Sequence, residues 1–329
     1  MVAAMVLLAA VQSCHRINLY SPSAGVYLDP NVILGPKVEL TGDVDMDSDE
    51  ETHEKAMGRM PSQVHACFYD IDTHALVYDD YVPSTGGFIG VGAGVYDLVV
   101  YGLGTRTTRV DGTGNRGSGR GYTSYSETRI SLTKAGSDDG GERYSYQVIY
   151  EPDHIFVGRR ERVEVPMTAG ESEIVRIPID MPTLLETYTF EAFNIIGLER
   201  VTSVKCYVTG QASCRYFWDE RYPWEPHALE FPAKVDLETG SIKTVFNTFG
   251  KIPGAGSRAF VTLYMSVGSG ESYQYVYDVT DQFDNPDNVG HEIVVTEPII
   301  IPEGGGSGGH GGFDLGVTQW IPDISYFEL

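Results

Sequence analysis

The chain has 329 residues and a formal net charge of −23, with 23 Lys and Arg against 46 Asp and Glu. Neutralising a phosphate backbone needs clustered cations, so this balance excludes nucleic acid as a partner. Glycine (38) and tyrosine (21) are abundant and runs of Ala, Leu, Glu and Lys are nearly absent, which points to an all-β chain with many turns, long enough for two domains.

Residues 1–13 form an uncharged apolar segment too short to cross a bilayer as a helix, and they read as the core of a secretory signal. Val11-Gln12-Ser13-Cys14 resembles a bacterial lipobox, with an aliphatic residue three before the cysteine and a small one directly before it. Acyl chains on Cys14 would anchor an otherwise soluble chain, so 1–14 is read as signal and lipobox. Residues 15–36 contain Ser21-Pro22 and Asp29-Pro30 with few core-like side chains, and they read as a tether. The first strand is expected at Lys37–Thr41. In the acidic stretch that follows, Asp43, Asp45, Asp47 and Glu54 fall at positions 1, 3, 5 and 12 of an EF-hand calcium loop. Ser48 stands where that loop turns on glycine, so a solvated acidic loop is the simpler reading. Calcium is the one cofactor the sequence raises, and otherwise none is expected.

His65–Ile71 and Ala75–Tyr81 read as a hairpin pair. Gly94-Val-Tyr-Asp-Leu-Val-Val-Tyr-Gly102 is the most informative strand: Val95, Val99 and Tyr101 fall on one face, Tyr96, Leu98 and Val100 on the other. Two apolar faces imply a central strand covered on both sides, with Asp97 as the exception. Gly112-Thr-Gly114-Asn-Arg-Gly117 has a dinucleotide-like spacing, but no strand–helix–strand unit surrounds it. Alternation resumes at Tyr122–Thr133, Tyr144–Tyr150 and from Ile155. The first sandwich is therefore drawn at 37–168, the junction at Thr168–Ser172 and the second sandwich at 172–329.

Beyond that junction Val175, Ile177 and Ile179 alternate, followed by Tyr188, Phe190 and Ala192. Cys206 and Cys214 flank Thr209-Gly210-Gln211. A hairpin centred on Gly210 would set them opposite each other, as either a cross-strand disulfide or two buried thiols. Cys67 reads as a core thiol. Trp218, Tyr222 and Trp224 could stack on a sugar or pack internally. Asp278, Asp281, Asp284 and Asp287 recur every third residue, either around a cation or as turn and capping acids. Gly304–Gly312 is a flexible run, and Phe313–Leu329 supplies a last strand. No nucleophile elbow, zinc motif or Cys-x-x-Cys is present, and the eight histidines are scattered with surface or turn roles as the default. The chain is not expected to be an enzyme.

Several segments, in order, resemble a Bacteroides-type lipoprotein family of the fimbrillin-like (type V pilin) superfamily. They are Gly94–Gly102 with Gly104-Thr105, Pro152-Asp153-His154-Ile-Phe-Val-Gly158, Thr248-Phe-Gly250, Tyr277-Asp278-Val-Thr-Asp281-Gln282, and Phe313-Asp314 with Val317 and Trp320. The resemblance implies two tandem transthyretin-like (Greek-key) β-sandwiches, lipoprotein export and a lipid-anchored position on the outer membrane at the cell surface. It further implies a fimbrial anchor or accessory, adhesin-type subunit whose partners are other fimbrial subunits or host and bacterial surface ligands. In such subunits a terminal strand, here Phe313–Leu329, either completes a neighbour by strand addition or folds back into its own second sandwich, the simpler reading. Polymerising members lose an N-terminal strand by cleavage after Arg or Lys, for which Arg16 and Arg59 are equally eligible. The alternative is a non-polymerising glycan- or ligand-binding surface lipoprotein.

Overall fold

The structure is a computed structural model, described for residues 23–35, 55, 58–103, 107–111, 125–133, 147–167, 174–219, 221–254 and 257–303. Ten strands come first: β1 (Ser23–Ile33), β2 (Gln63–Asp70), β3 (Leu76–Pro83), β4 (Gly87–Gly92), β5 (Gly94–Leu103), β6 (Thr108–Asp111), β7 (Arg129–Leu132), β8 (Val148–Tyr150), β9 (Ile155–Val165) and β10 (Val175–Pro182). Next are β11 (Glu186–Ala192), β12 (Ile195–Ile196), β13 (Val201–Gln211), β14 (Cys214–Tyr216), β15 (His227–Pro232) and β16 (Lys234–Asp236). The last are β17 (Ser241–Thr248), β18 (Phe260–Val267), β19 (Ser272–Asp278), β20 (Glu292–Val295) and β21 (Ile299–Ile300), with a short helix α1 (Thr280–Asp284) before β20. The described chain is all-β apart from α1 and brief 3-10 turns, as its composition implies.

A three-stranded sheet, β10-β1-β4, faces the four-stranded sheet β3-β2-β5-β9. Val26 and Leu28 of β1, Ile89 and Val91 of β4, and Ile177 and Ile179 of β10 fill the space between them. From the other side come Phe68 of β2, Tyr96, Leu98 and Val100 of β5, and Phe156 of β9. The opposite face of that second sheet is also covered. Cys67, Tyr69, Val99, Tyr101 and Val157 enter a larger core. Sheet β19-β18-β13-β15-β8 and sheet β16-β17-β11-β20 build the rest of this core, together with β14-β7-β6. Phe231 stacks on Phe246 at 4.3 Å within it. β5 is thus buried on both faces, as its two apolar registers require. Each fully buried Val or Leu contributes about 1.5–3 kcal/mol.

Asp97 breaks the apolar pattern of β5 for a local reason. Tyr96 pairs with Val163 and Leu98 with Arg160, so β9 carries an extra residue at this point. Arg162 takes φ 52° in the bulge, and its N–H donates to Asp97 Oδ1 at 3.0 Å. A buried carboxylate here replaces the lost ladder bond.

Four sequence expectations are corrected. The tether reading of 15–36 fails at β1, which pairs in parallel with β10 and antiparallel with β4. Pro30 is tolerated within β1, and the alternation of Val26 and Leu28, outweighed at first by Ser21-Pro22 and Asp29-Pro30, marks its buried face. The junction at 168–172 does not separate the hydrogen-bonded sheets. β10 lies beyond it yet belongs with β1, β8 pairs in parallel with β15, and β7 pairs with β14. The hairpin centred on Gly210 is also absent. β13 runs through that residue at φ 81°, with its register shifting between Val208 and Gln211, and a Cβ added there would stand 2.9 Å from the Arg258 carbonyl oxygen. Cys206 therefore pairs with Phe231 and Leu263, Cys214 pairs with Ser131, and both are free buried thiols with no disulfide between them. The strand expected at Tyr122–Thr133 is reduced to β7, preceded by a 3-10 turn at Tyr125–Glu127. The Lys37–Thr41 strand, the Gly304–Gly312 run and Phe313–Leu329 lie outside the described residues.

Two glycines have no role in the packing of the chain. Gly25 of β1 sits opposite Gly90 of β4, and a Cβ added at either would meet nothing within 4 Å. A strand-interior glycine costs about 0.5–1 kcal/mol relative to alanine. We therefore expect Gly90→Ala to raise the denaturant midpoint by a stability increment of that size. Asp97→Ala should lower stability by about 1–3 kcal/mol by stranding the Arg162 N–H, with Asp97→Asn recovering part of the loss in the same chemical-denaturation assay.

Candidate functional site

Three groupings carry polar or aromatic chemistry, and the sequence pointed to only one. The first lies on the β2 face directed at the larger core. His65 and Cys67 project on the same side of β2, opposite Tyr81 and Asp79 of β3, with Tyr101 of β5 on the other flank. The His65 ring is held at both ends, with Nδ1 2.6 Å from Tyr101 Oη and Nε2 3.0 Å from Asp79 Oδ2. An ionised carboxylate only accepts, so Nε2–H donates to Asp79 and the Tyr101 hydroxyl donates to Nδ1 of the neutral ring. Tyr81 stacks flat on the imidazole at 4.1 Å. Burial lowers the His65 pKa, against the opposing effect of Asp79 and Asp80.

Cys67 lies 3.9 Å from the His65 ring, a Cys–His–Asp set that a histidine assigned by default to the surface did not foretell. The visible signal was period-two alternation: His65, Cys67 and Tyr69 share a face. The thiol is fully buried, and burial, then the Asp79 charge, pushes its pKa up. Without a thiolate it is no nucleophile. The array is a satisfied polar network inside a sheet.

The second grouping ties distant segments together. Lys55 Nζ lies 3.0 Å from Glu151 Oε2, and Glu151 Oε1 accepts the Asn247 N–H at 2.8 Å. Asn247 Nδ2 donates to the Lys55 carbonyl at 2.9 Å, and His154 Nε2 bonds to the same oxygen. The approach to β2, the turn before β9 and β17 thus meet at one buried carboxylate, whose pKa burial raises. Asp153 accepts the Thr107 N–H at 2.7 Å in the same turn. The Pro152-Asp153-His154 motif is therefore a structural corner. Asp278 caps α1 by accepting the Thr280 N–H at 3.0 Å and pairs with Arg258, while Asp284 pairs with Lys251 at 2.8 Å. Asp278 thus takes a turn and capping role, and Asp284 a surface ion pair.

The third grouping is the aromatic loop after β14, whose members have different partners. Trp218 is half-buried against Tyr125 at 4.4 Å, and its carbonyl accepts from Arg159 Nη1 at 2.6 Å. Tyr222 lies under the Arg215 guanidinium at 4.9 Å. Only Trp224 faces solvent, 98% exposed. Cys14 and the calcium candidates Asp43, Asp45, Asp47 and Glu54 lie outside the described residues.

Facing sheets joined by polar corners define the class as an all-β protein of stacked sheets. A family model described as a domain of unknown function (DUF5119) matches residues 43–229, and the chain belongs to that family. A curated relative from Bacteroides ovatus, named as a candidate fimbrium anchoring subunit (Fim4B), is 26% identical over 157 residues. That match covers 47% of this chain and 42% of the relative, so the chain spans less than half of that protein's length. A crystal structure described as a candidate adhesin from Bacteroides ovatus superposes with a TM-score of 0.56 at 18% identity, over 84% of this chain and 94% of that one. A second candidate adhesin from the same species gives 0.50 at 13% identity, over 87% and 91%. These structures share the fold. The relatives are named as fimbrial or adhesin proteins, not enzymes.

The histidines make stability depend on pH. The folded-state pKa of His65 lies below its ordinary 6.5, as does that of half-buried His154. A depressed pKa means the unfolded chain takes up the proton first, so this stabilisation is complete above 6.5 and is lost as pH falls through the folded values. Urea midpoints should therefore fall between about pH 7 and pH 5, with a shallower slope in His65→Gln. An unchanged slope in that variant would remove His65 as the source.

Proposed function

We propose that this protein is a surface-exposed, lipid-anchored fimbrial anchor or accessory subunit of the adhesin type. It is non-catalytic, built as two tandem transthyretin-like sandwiches and held at the outer membrane through Cys14. Its partners in this reading are other fimbrial subunits, or ligands on host or bacterial surfaces. Family membership and the fimbrium-anchoring name of the curated relative support the class.

The observation that carries the anchoring role is the position of β1. It starts a few residues after Cys14 and lies between β10 and β4, hydrogen-bonded on both sides. A pull from an acylated Cys14 would load β1 along its own axis. It would then be resisted by shear across two ladders at once, with Val26 and Leu28 locked into the core beneath. A subunit that must stay attached keeps such a strand. Strand addition through Phe313–Leu329 would join it to a neighbour. The glycan-binding alternative draws on Trp218, Tyr222 and Trp224, of which Trp218 and Tyr222 pack on the larger core and Trp224 is exposed.

Cys14→Ala should move the protein from the membrane fraction to the soluble fraction and abolish incorporation of labelled palmitate. Retention in the membrane would sink the anchoring role. Size-exclusion with light scattering on chains with and without 313–329 tests assembly. Oligomers that vanish on truncation, with the shortened chain still folded, are the expected result.

A further inference from the structure

The outer face of the β10-β1-β4 sheet is laid out as a ligand shelf. Side chains alternate, so Val26 and Leu28 point inward while Gly25, Tyr27 and Asp29 face out from β1. Tyr27 is flanked in register by Phe88 of β4 and Arg176 of β10. Phe88 is 62% exposed and meets the Tyr27 ring edge-on at 5.0 Å. The Arg176 guanidinium sits over the same ring at 4.7 Å. Directly beside this row lies the Gly25–Gly90 pair, with open space where both Cβ atoms would be. Neither glycine has a positive φ or a close intrachain neighbour, so the chain itself gives no reason for them. Strand-interior glycines often mark a place where a ligand approaches the backbone closely.

Charge identifies what approaches. Arg109, Arg129, Arg200, Arg215, Arg221 and Arg258 each pair with a carboxylate. Among the described residues Arg160, Arg162 and Arg176 have no such partner, and Arg160 Nη1 donates to the Pro178 carbonyl of β10 at 3.1 Å. Two unneutralised guanidiniums therefore border this face in a chain of net charge −23. Screening over about 8 Å at physiological salt leaves the groups on this face, Arg176 and Arg160 together with the carboxylates of Asp29 and Asp180, and not the distant acidic surface, to set what binds there. Asp180 is occupied by the Asn31 amide at 2.8 Å, while Asp29 has no partner among the described residues.

We propose that this shelf binds a uronate-bearing polysaccharide. A pyranose ring lies on the Gly25–Gly90 floor against Phe88, its carboxylate meets Arg176, and a ring hydroxyl donates to Asp29. The site is separate from the Cys14 anchor, so it stands or falls independently of the anchoring role.

The test is titration of the purified full-length chain with oligogalacturonate, its methyl ester and hyaluronan oligosaccharides. Saturable binding to at least one of the two uronates is expected, weakened about tenfold or more by methyl esterification of oligogalacturonate when that is the one bound, by Arg176→Met and by Phe88→Ala. Gly90→Val should weaken binding by a similar factor through filling the shelf, while its thermal midpoint is unchanged or higher. That combination separates loss of the site from loss of the fold. Binding to neither uronate, equal binding of the methyl ester, or affinity unchanged in Gly90→Val and Arg176→Met would each overturn the proposal.

Discussion

The rest of the structure depends on burying sheet β3-β2-β5-β9 on both faces. One face closes against β10-β1-β4, and the other forms a wall of the larger core. β5 supplies both sides at once, through Leu98 and Val100 on one and Val99 and Tyr101 on the other. A sheet covered twice is a rigid middle layer. It couples the N-terminal strand to distant sheets without needing a helix between them.

That burial has consequences for every polar group caught in the layer. Asp97 satisfies a bulged N–H, His65 is clamped between a tyrosine and an aspartate, and Glu151 gathers a lysine and a backbone amide. Each of these could be mistaken for chemistry when seen as a residue type. Each instead holds a corner where segments far apart in the chain meet. Groups that reach solvent, Trp224 and the Arg176 edge among them, are where contact with other molecules can be made.

The position of β1 links this architecture to function. A strand at the sheet centre is harder to extract than one at an edge, because two ladders and a buried face must fail together. In the proposed anchoring role, the described strand that follows Cys14 in the chain is the one held between β10 and β4. The outward face of that same strand, bare at Gly25 and aromatic at Tyr27, leaves room for a second role.

The sequence by itself determined the all-β class, the two-faced burial of β5 and the fimbrillin-like resemblance. These follow from composition, from period-two alternation and from the order of short motifs, all of which are local properties. It did not determine that residues 23–33 form a strand, because a Pro-containing segment shows its pattern only when β10 and β4 lie beside it. Nor did it determine that Cys206 and Cys214 part company, since a glycine at φ 81° reads as a turn until the neighbouring strand shows it to be a bulge. The pairing of β8 with β15 and of β7 with β14 was equally invisible. Alternation tells which face of a strand is buried. Which strand lies against it is a long-range choice, made only when whole sheets compete to cover the same apolar surface.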